Sequence, residues 1–164
     1  MGNFNEHINH SIDNLNFLSK VNETINDRWD WQVTICFYTA LHLINAHIVD
    51  KTGRNYLSHS QVEDAINPYA TLSVSKLDED TYKSYKKLFQ LSRRSRYLLN
   101  ENFNKGGIVD IQRACLTYDK HFRKSIYHLD IIMNYMSSNY NVNFSKCEID
   151  CIELKNVTLT NFTT

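Results

Sequence analysis

WQVTICFYTALHLINAHIV, residues 31–49, is the stretch that decides the fold. It contains no Asp, Glu, Lys, Arg, Gly or Pro, so nothing in it breaks a helix or demands water. At about 100° per residue, Val33, Phe37, Ala40, Leu41, Ile44 and Ile48 share one arc. Trp31, Thr34, Ile35, Tyr38, His42, Asn45 and Val49 share the other. A helix apolar on more than one side is normally buried, so the pattern predicts a central helix from about Asp27 to Asp50, with Gly53 as its stop. The second arc differs from the first because its members carry polar tips, and this marks it as a pocket, a dimer seam or a hydrogen-bonded part of the core.

Amphipathic segments surround that run. Ile8, Ile12, Leu15, Leu18, Val21 and Ile25 recur at three- and four-residue steps and predict a first helix over residues 5–25. Ser58 with Gln61, or Ser60 with Glu63, can cap a short third helix that Pro68 ends. Asp78 or Asp80 can cap a fourth, striped by Tyr82, Tyr85, Leu88, Phe89, Ser92 and Arg96. Residues 104–107 (NKGG) read as a loop, and a fifth helix is expected from near Asp110 to about Met136. In the tail, Cys147, Ile149 and Cys151 alternate with Lys146, Glu148 and Asp150, a two-residue repeat that suits a strand. Val157 and Leu159 are its expected hairpin partner, turning near Lys155. The expectation is an all-α, up-down bundle of about five helices over residues 1–140, with a β-like extension over 141–164.

Composition narrows the function. The chain has 164 residues, enough for one domain with a sizeable core. Lys+Arg and Asp+Glu balance at 18 each, which argues against nucleic-acid binding by overall field, though not against a local cationic patch. No secretory leader opens the chain and no run of 18 apolar residues occurs, so a cytoplasmic protein without a membrane partner is expected. Cys36 and Cys115 read as small core residues, and Cys147-x3-Cys151 lacks the second ligand pair a zinc site needs, so no metal or cofactor is expected.

Several short signals fall in order: Trp29-Asp30-Trp31, then Phe37-Tyr38 with Ala40-Leu41-His42, then Asn45-Ala46, Gly53, Ser58-His59, and Ser92 to Tyr97. Over residues 27–97 this order resembles a branch of the HEPN superfamily common in prokaryotes. The resemblance implies a helical bundle that usually dimerises, in a superfamily active in RNA metabolism, toxin–antitoxin pairs and antiviral defence. Many members are metal-independent endoribonucleases with an Arg-x(4 to 6)-His motif, and others bind nucleotides, RNA or a partner nucleotidyltransferase.

The catalytic spacing is met at Arg123 and His128, but Lys124 follows the Arg where the family usually has Asn, Asp or His. Five residues along a continuous helix also set the two side chains roughly 140° apart. The other candidates form a ligand-binding set. Tyr38, His42 and Asn45 lie on the polar-tipped arc, His59 stands at a helix start, and Arg93, Arg96 and Tyr97 combine guanidinium forks with an aromatic ring. Each has a structural alternative: a core histidine, a loop-fixing hydrogen bond, or a buried ion pair. The leading expectation is an RNA- or nucleotide-associated homodimer in a toxin–antitoxin or defence system, with catalysis of its own left open by these residues. The alternatives are a metal-independent endoribonuclease acting through Arg123 and His128 or through His42, His59 and Arg96, and a structural partner subunit of a larger effector.

Overall fold

A computed structural model of the chain describes residues 2–97, 99–103, 109–113 and 117–164, with side chains for 2–97 and 117–164. The protein is an all-α bundle. Its helices are α1 (Phe4–Thr24), α2 (Trp29–Thr52), α3 (His59–Ile66), α4 (Glu79–Tyr97) and α5 (Asp119–Tyr140). Asn3 and Glu6 start α1 with a reciprocal capping box, each side chain accepting the other's backbone N–H at 3.0 and 2.6 Å. Gly53 ends α2 at φ 65°, where a side chain would be strained. Ser58 caps α3, and Asp78 holds the N–H of Thr81 in the first turn of α4.

The α2 helix runs through the middle, against α1, α3, α4 and α5. Of the first arc, Val33, Phe37, Ala40, Ile44 and Ile48 are fully buried and Leu41 is partly buried against the core. They meet Leu18 of α1, Leu88 of α4 and Phe122, Ile126, Leu129 and Met133 of α5 in one continuous core. Each such side chain contributes roughly 1.5–3 kcal/mol on burial. By length and hydropathy α2 also resembles a bilayer-crossing helix, a test that the core helix of a bundle passes equally. The second arc is mixed: Thr34, Ile35 and Asn45 are buried, His42 is half-buried, and Trp31 and Tyr38 reach solvent.

Two expectations are corrected. The fifth helix does not begin near Asp110. Residues Val109–Arg113 form β2, antiparallel to β1 (Leu99–Phe103), and α5 starts nine residues later than expected, at Asp119. Alternation of Val109 and Ile111 with Asp110 and Gln112 carries this strand signal. The expected loop at 104–107 and Cys115 lie outside the described residues.

The tail is also not a hairpin onto Val157 and Leu159. Cys147–Glu148 (β3) pairs in parallel with Phe162–Thr163 (β4), and a 3-10 turn at Ile152–Leu154 lies between them. The two-residue alternation itself holds, with Cys147, Ile149 and Cys151 buried and Lys146, Glu148 and Asp150 exposed. Its hydrogen bonds go to helices as well as to β4. The buried amide of Asn22 donates to the Asp150 carbonyl (3.1 Å) and accepts the Asp150 N–H (2.6 Å), doing for one residue what a neighbouring strand would do.

Asp130 of α5 is the second anchor of the tail. One buried carboxylate accepts the N–H groups of Thr160 (3.0 Å) and Asn161 (2.8 Å) and the Asn161 side-chain amide (2.9 Å). Asp130→Leu leaves those donors unpaired, at a cost of about 1–3 kcal/mol. It is expected to lower the urea midpoint and to expose residues 157–164 to rapid hydrogen exchange, whereas the amides of α2 stay protected.

Candidate functional site

The C-terminal half of α4 and the middle of α2 meet on one side of the bundle, where α3 begins. Phe37 lies underneath, fully buried, with its ring 5.4 Å from His59, 5.5 Å from Phe89 and 5.5 Å from Tyr38. Above it sits the guanidinium of Arg96, 5.9 Å from the Phe37 centroid, 5.7 Å from Tyr38 and 5.2 Å from Tyr97. Such contacts hold a cation by the negative face of each ring. Arg96 also donates to the Tyr38 hydroxyl (3.4 Å), 58 residues away in sequence, and to the Ser92 carbonyl (3.4 Å). No carboxylate pairs with Arg96 among the described residues. Arg93 lies over Phe89 at 5.7 Å. Arg93, Arg96, Tyr97, His59 and Phe89 line an open cavity of about 370 Å³. Burial, and then the charge of Arg96, push His59 below its usual pKa.

A second cavity of about 240 Å³ lies on the other side of Tyr38. His10, Asn14 and Phe17 of α1 form one wall, and Trp31, Thr34, Ile35, Tyr38 and His42 of α2 form the other. Trp31 and Phe17 are 58% and 54% exposed, so aromatic surface rims the opening. The ring of His10 stacks on that of His42, with centroids 4.0 Å apart and planes within 15°. His7 Nδ1 faces His42 Nδ1 at 3.1 Å, and His7 Nε2 faces Asn55 Oδ1 at 2.8 Å. Asn55 in turn donates to the Gly2 carbonyl at 3.0 Å.

The fold therefore brings together Tyr38, His59, Arg93, Arg96 and Tyr97, and places His42 in the adjoining cavity behind Tyr38. Asn45 lines neither cavity; it is buried, and its Oδ1 has no hydrogen-bond partner among the described residues. Arg123 is exposed on α5, and His128 is half-buried with Nδ1 3.2 Å from Ser84 Oγ. No hydrogen bond joins Arg123 to His128 among the described residues, and neither lines the two cavities above.

Phe37 and Phe89, the floor of the arginine site, escaped the sequence reading because they look like ordinary core. His7, Asn14 and Phe17 escaped because they sit on the polar face of α1, although their three- and four-residue steps with His10 mark one surface. A larger cavity of about 500 Å³ lies between α1 and the tail, but no arginine or histidine lines it. No group of three His, Cys, Asp or Glu among the described residues is arranged to hold a metal ion. No protein-family model, curated protein or solved structure matches the chain.

Burial, followed by the neighbouring His10 and His7, pushes His42 down to about 4; burial, then Lys87 and Lys124, does the same to His128. Histidines with depressed folded pKa values favour the unfolded state once that state begins to protonate, near 6.5. The histidine contribution to stability is therefore expected to be flat above about pH 7 and to fall between about 6.5 and 4. Urea unfolding across that range is expected to show a shallower fall in His42→Phe and in His128→Gln than in the parent chain.

Proposed function

We propose that this is a HEPN-like helical protein that binds RNA or a nucleotide as a non-catalytic component of a prokaryotic toxin–antitoxin or defence system. The observation that supports this reading best is Arg96, a guanidinium held between aromatic rings at the edge of an open cavity, without a carboxylate partner among the described residues. A cation whose charge is not neutralised by the protein can pair with a phosphate, and the guanidinium fork suits two phosphate oxygens at once. Exposed Tyr97 beside it offers a face on which a base can stack. Arg93 lines the same cavity. A net charge of zero confines the affinity to this patch.

The non-catalytic part of the proposal rests on the separation of roles. His128 is directed at Ser84 and Arg123 stands in solvent. His59 is near Arg96 but lacks a hydrogen-bond partner among the described residues that would orient it as a base. The homodimer and the partner protein belong to the same proposal and come from the family resemblance.

Fluorescence anisotropy with a labelled eight-nucleotide single-stranded RNA tests the reading. Binding is expected to weaken about tenfold in Arg96→Met, the loss of one charge-assisted contact of about 1.5–3 kcal/mol discounted for solvent exposure. Incubation with the same RNA in EDTA is expected to leave it intact. Cleavage that disappears in both Arg123→Ala and His128→Ala would replace this proposal with the endoribonuclease reading.

A further inference from the structure

The hydrogen bonds around His42 determine which of its nitrogens carries the proton. The Asn55 amide nitrogen is committed to the Gly2 carbonyl, so its oxygen is what faces His7 Nε2. An oxygen acceptor requires His7 Nε2 to be the protonated nitrogen, and with one proton per ring His7 Nδ1 is then bare. His42 Nδ1, 3.1 Å away, must supply the hydrogen for that contact. The proton of His42 is thereby held on Nδ1, and Nε2 is left as an acceptor. No protein group hydrogen-bonds His42 Nε2 among the described residues.

Asn14 lines the same cavity, and its Nδ2 is buried without a hydrogen-bond partner among the described residues. A buried amide donor left unpaired costs free energy, which a ligand acceptor can recover. The cavity thus combines one donor, one acceptor and the exposed aromatic side chains of Trp31 and Phe17. Its 240 Å³ falls below the roughly 300–1,000 Å³ that encloses a drug-sized molecule, and is suited to a single flat ring system.

We infer that this cavity is a nucleobase subsite, in which a base packs against Trp31, accepts from Asn14 Nδ2 and donates to His42 Nε2. Every base has an edge with a donor next to an acceptor, and the cavity is joined to the Arg96 site through Tyr38, which lines it and accepts from Arg96 at 3.4 Å. This inference rests on the RNA- or nucleotide-binding reading and assigns the base to one cavity and the phosphate to the other.

The intact protein is tested with three labelled eight-unit probes: oligouridine, oligoadenosine, and a ribose phosphate oligomer without bases. At least one base-bearing probe is expected to bind about tenfold or more tighter than the base-free one, the range of a stacked base. Trp31→Ala, at an exposed position, and Asn14→Leu are each expected to remove about five- to tenfold of that preference while leaving the base-free probe unchanged. Arg96→Met weakens all the probes. Equal binding of base-bearing and base-free probes that still depends on Arg96 overturns the base subsite and leaves the phosphate reading standing. Binding of none overturns both. Independently of any ligand, long-range ¹⁵N–¹H spectra at pH 7 are expected to show His42 protonated on Nδ1 and His7 on Nε2. Finding His42 protonated on Nε2 overturns the acceptor assignment.

Discussion

The whole structure depends on covering one helix on nearly every side. The apolar arc of α2 has no face it can leave in water without losing several side chains' worth of burial, so α1, α4 and α5 are arranged around it. The coverage is incomplete at one place. There Trp31, Tyr38 and His42 come out between α1 and α4, and both candidate cavities open along that line. Packing the core and making the site are thus two results of the same helix, divided by the angle at which a residue projects.

That division was legible in the residues of α2 themselves. Polar-tipped Tyr38 and His42 stand apart from the Phe37, Ala40 and Ile44 arc, and they are the side chains at the cavities. Asn45 has the same polar tip but is buried, because periodicity gives a direction around the axis and not the height at which neighbouring helices close over it. Arg96 was recognisable as a charge on a core stripe in need of a partner. That the partner would be aromatic rings from α2 and α4, with no carboxylate among the described residues, is a long-range fact that local pattern does not carry.

The misreadings have a common cause. Around Val109–Arg113 and in the tail, short segments take their conformation from what they pair with. A two-residue alternation reveals a strand but not its partner, and the tail's partners are unusual: a two-residue parallel strand, the side-chain amide of Asn22 and the carboxylate of Asp130. Such side-chain substitutes for a neighbouring strand leave no periodic trace.

The bond from Asn55 to the Gly2 carbonyl makes the backbone just ahead of α1 part of the histidine network. A side chain at Gly2 would come within 3.1 Å of His7 Nε2, the nitrogen that bonds Asn55. The first turn of backbone is therefore in mechanical contact with the group that sets the proton on His42. A side chain at residue 2 therefore presses on the histidine network beside a cavity lined farther along α1 and α2.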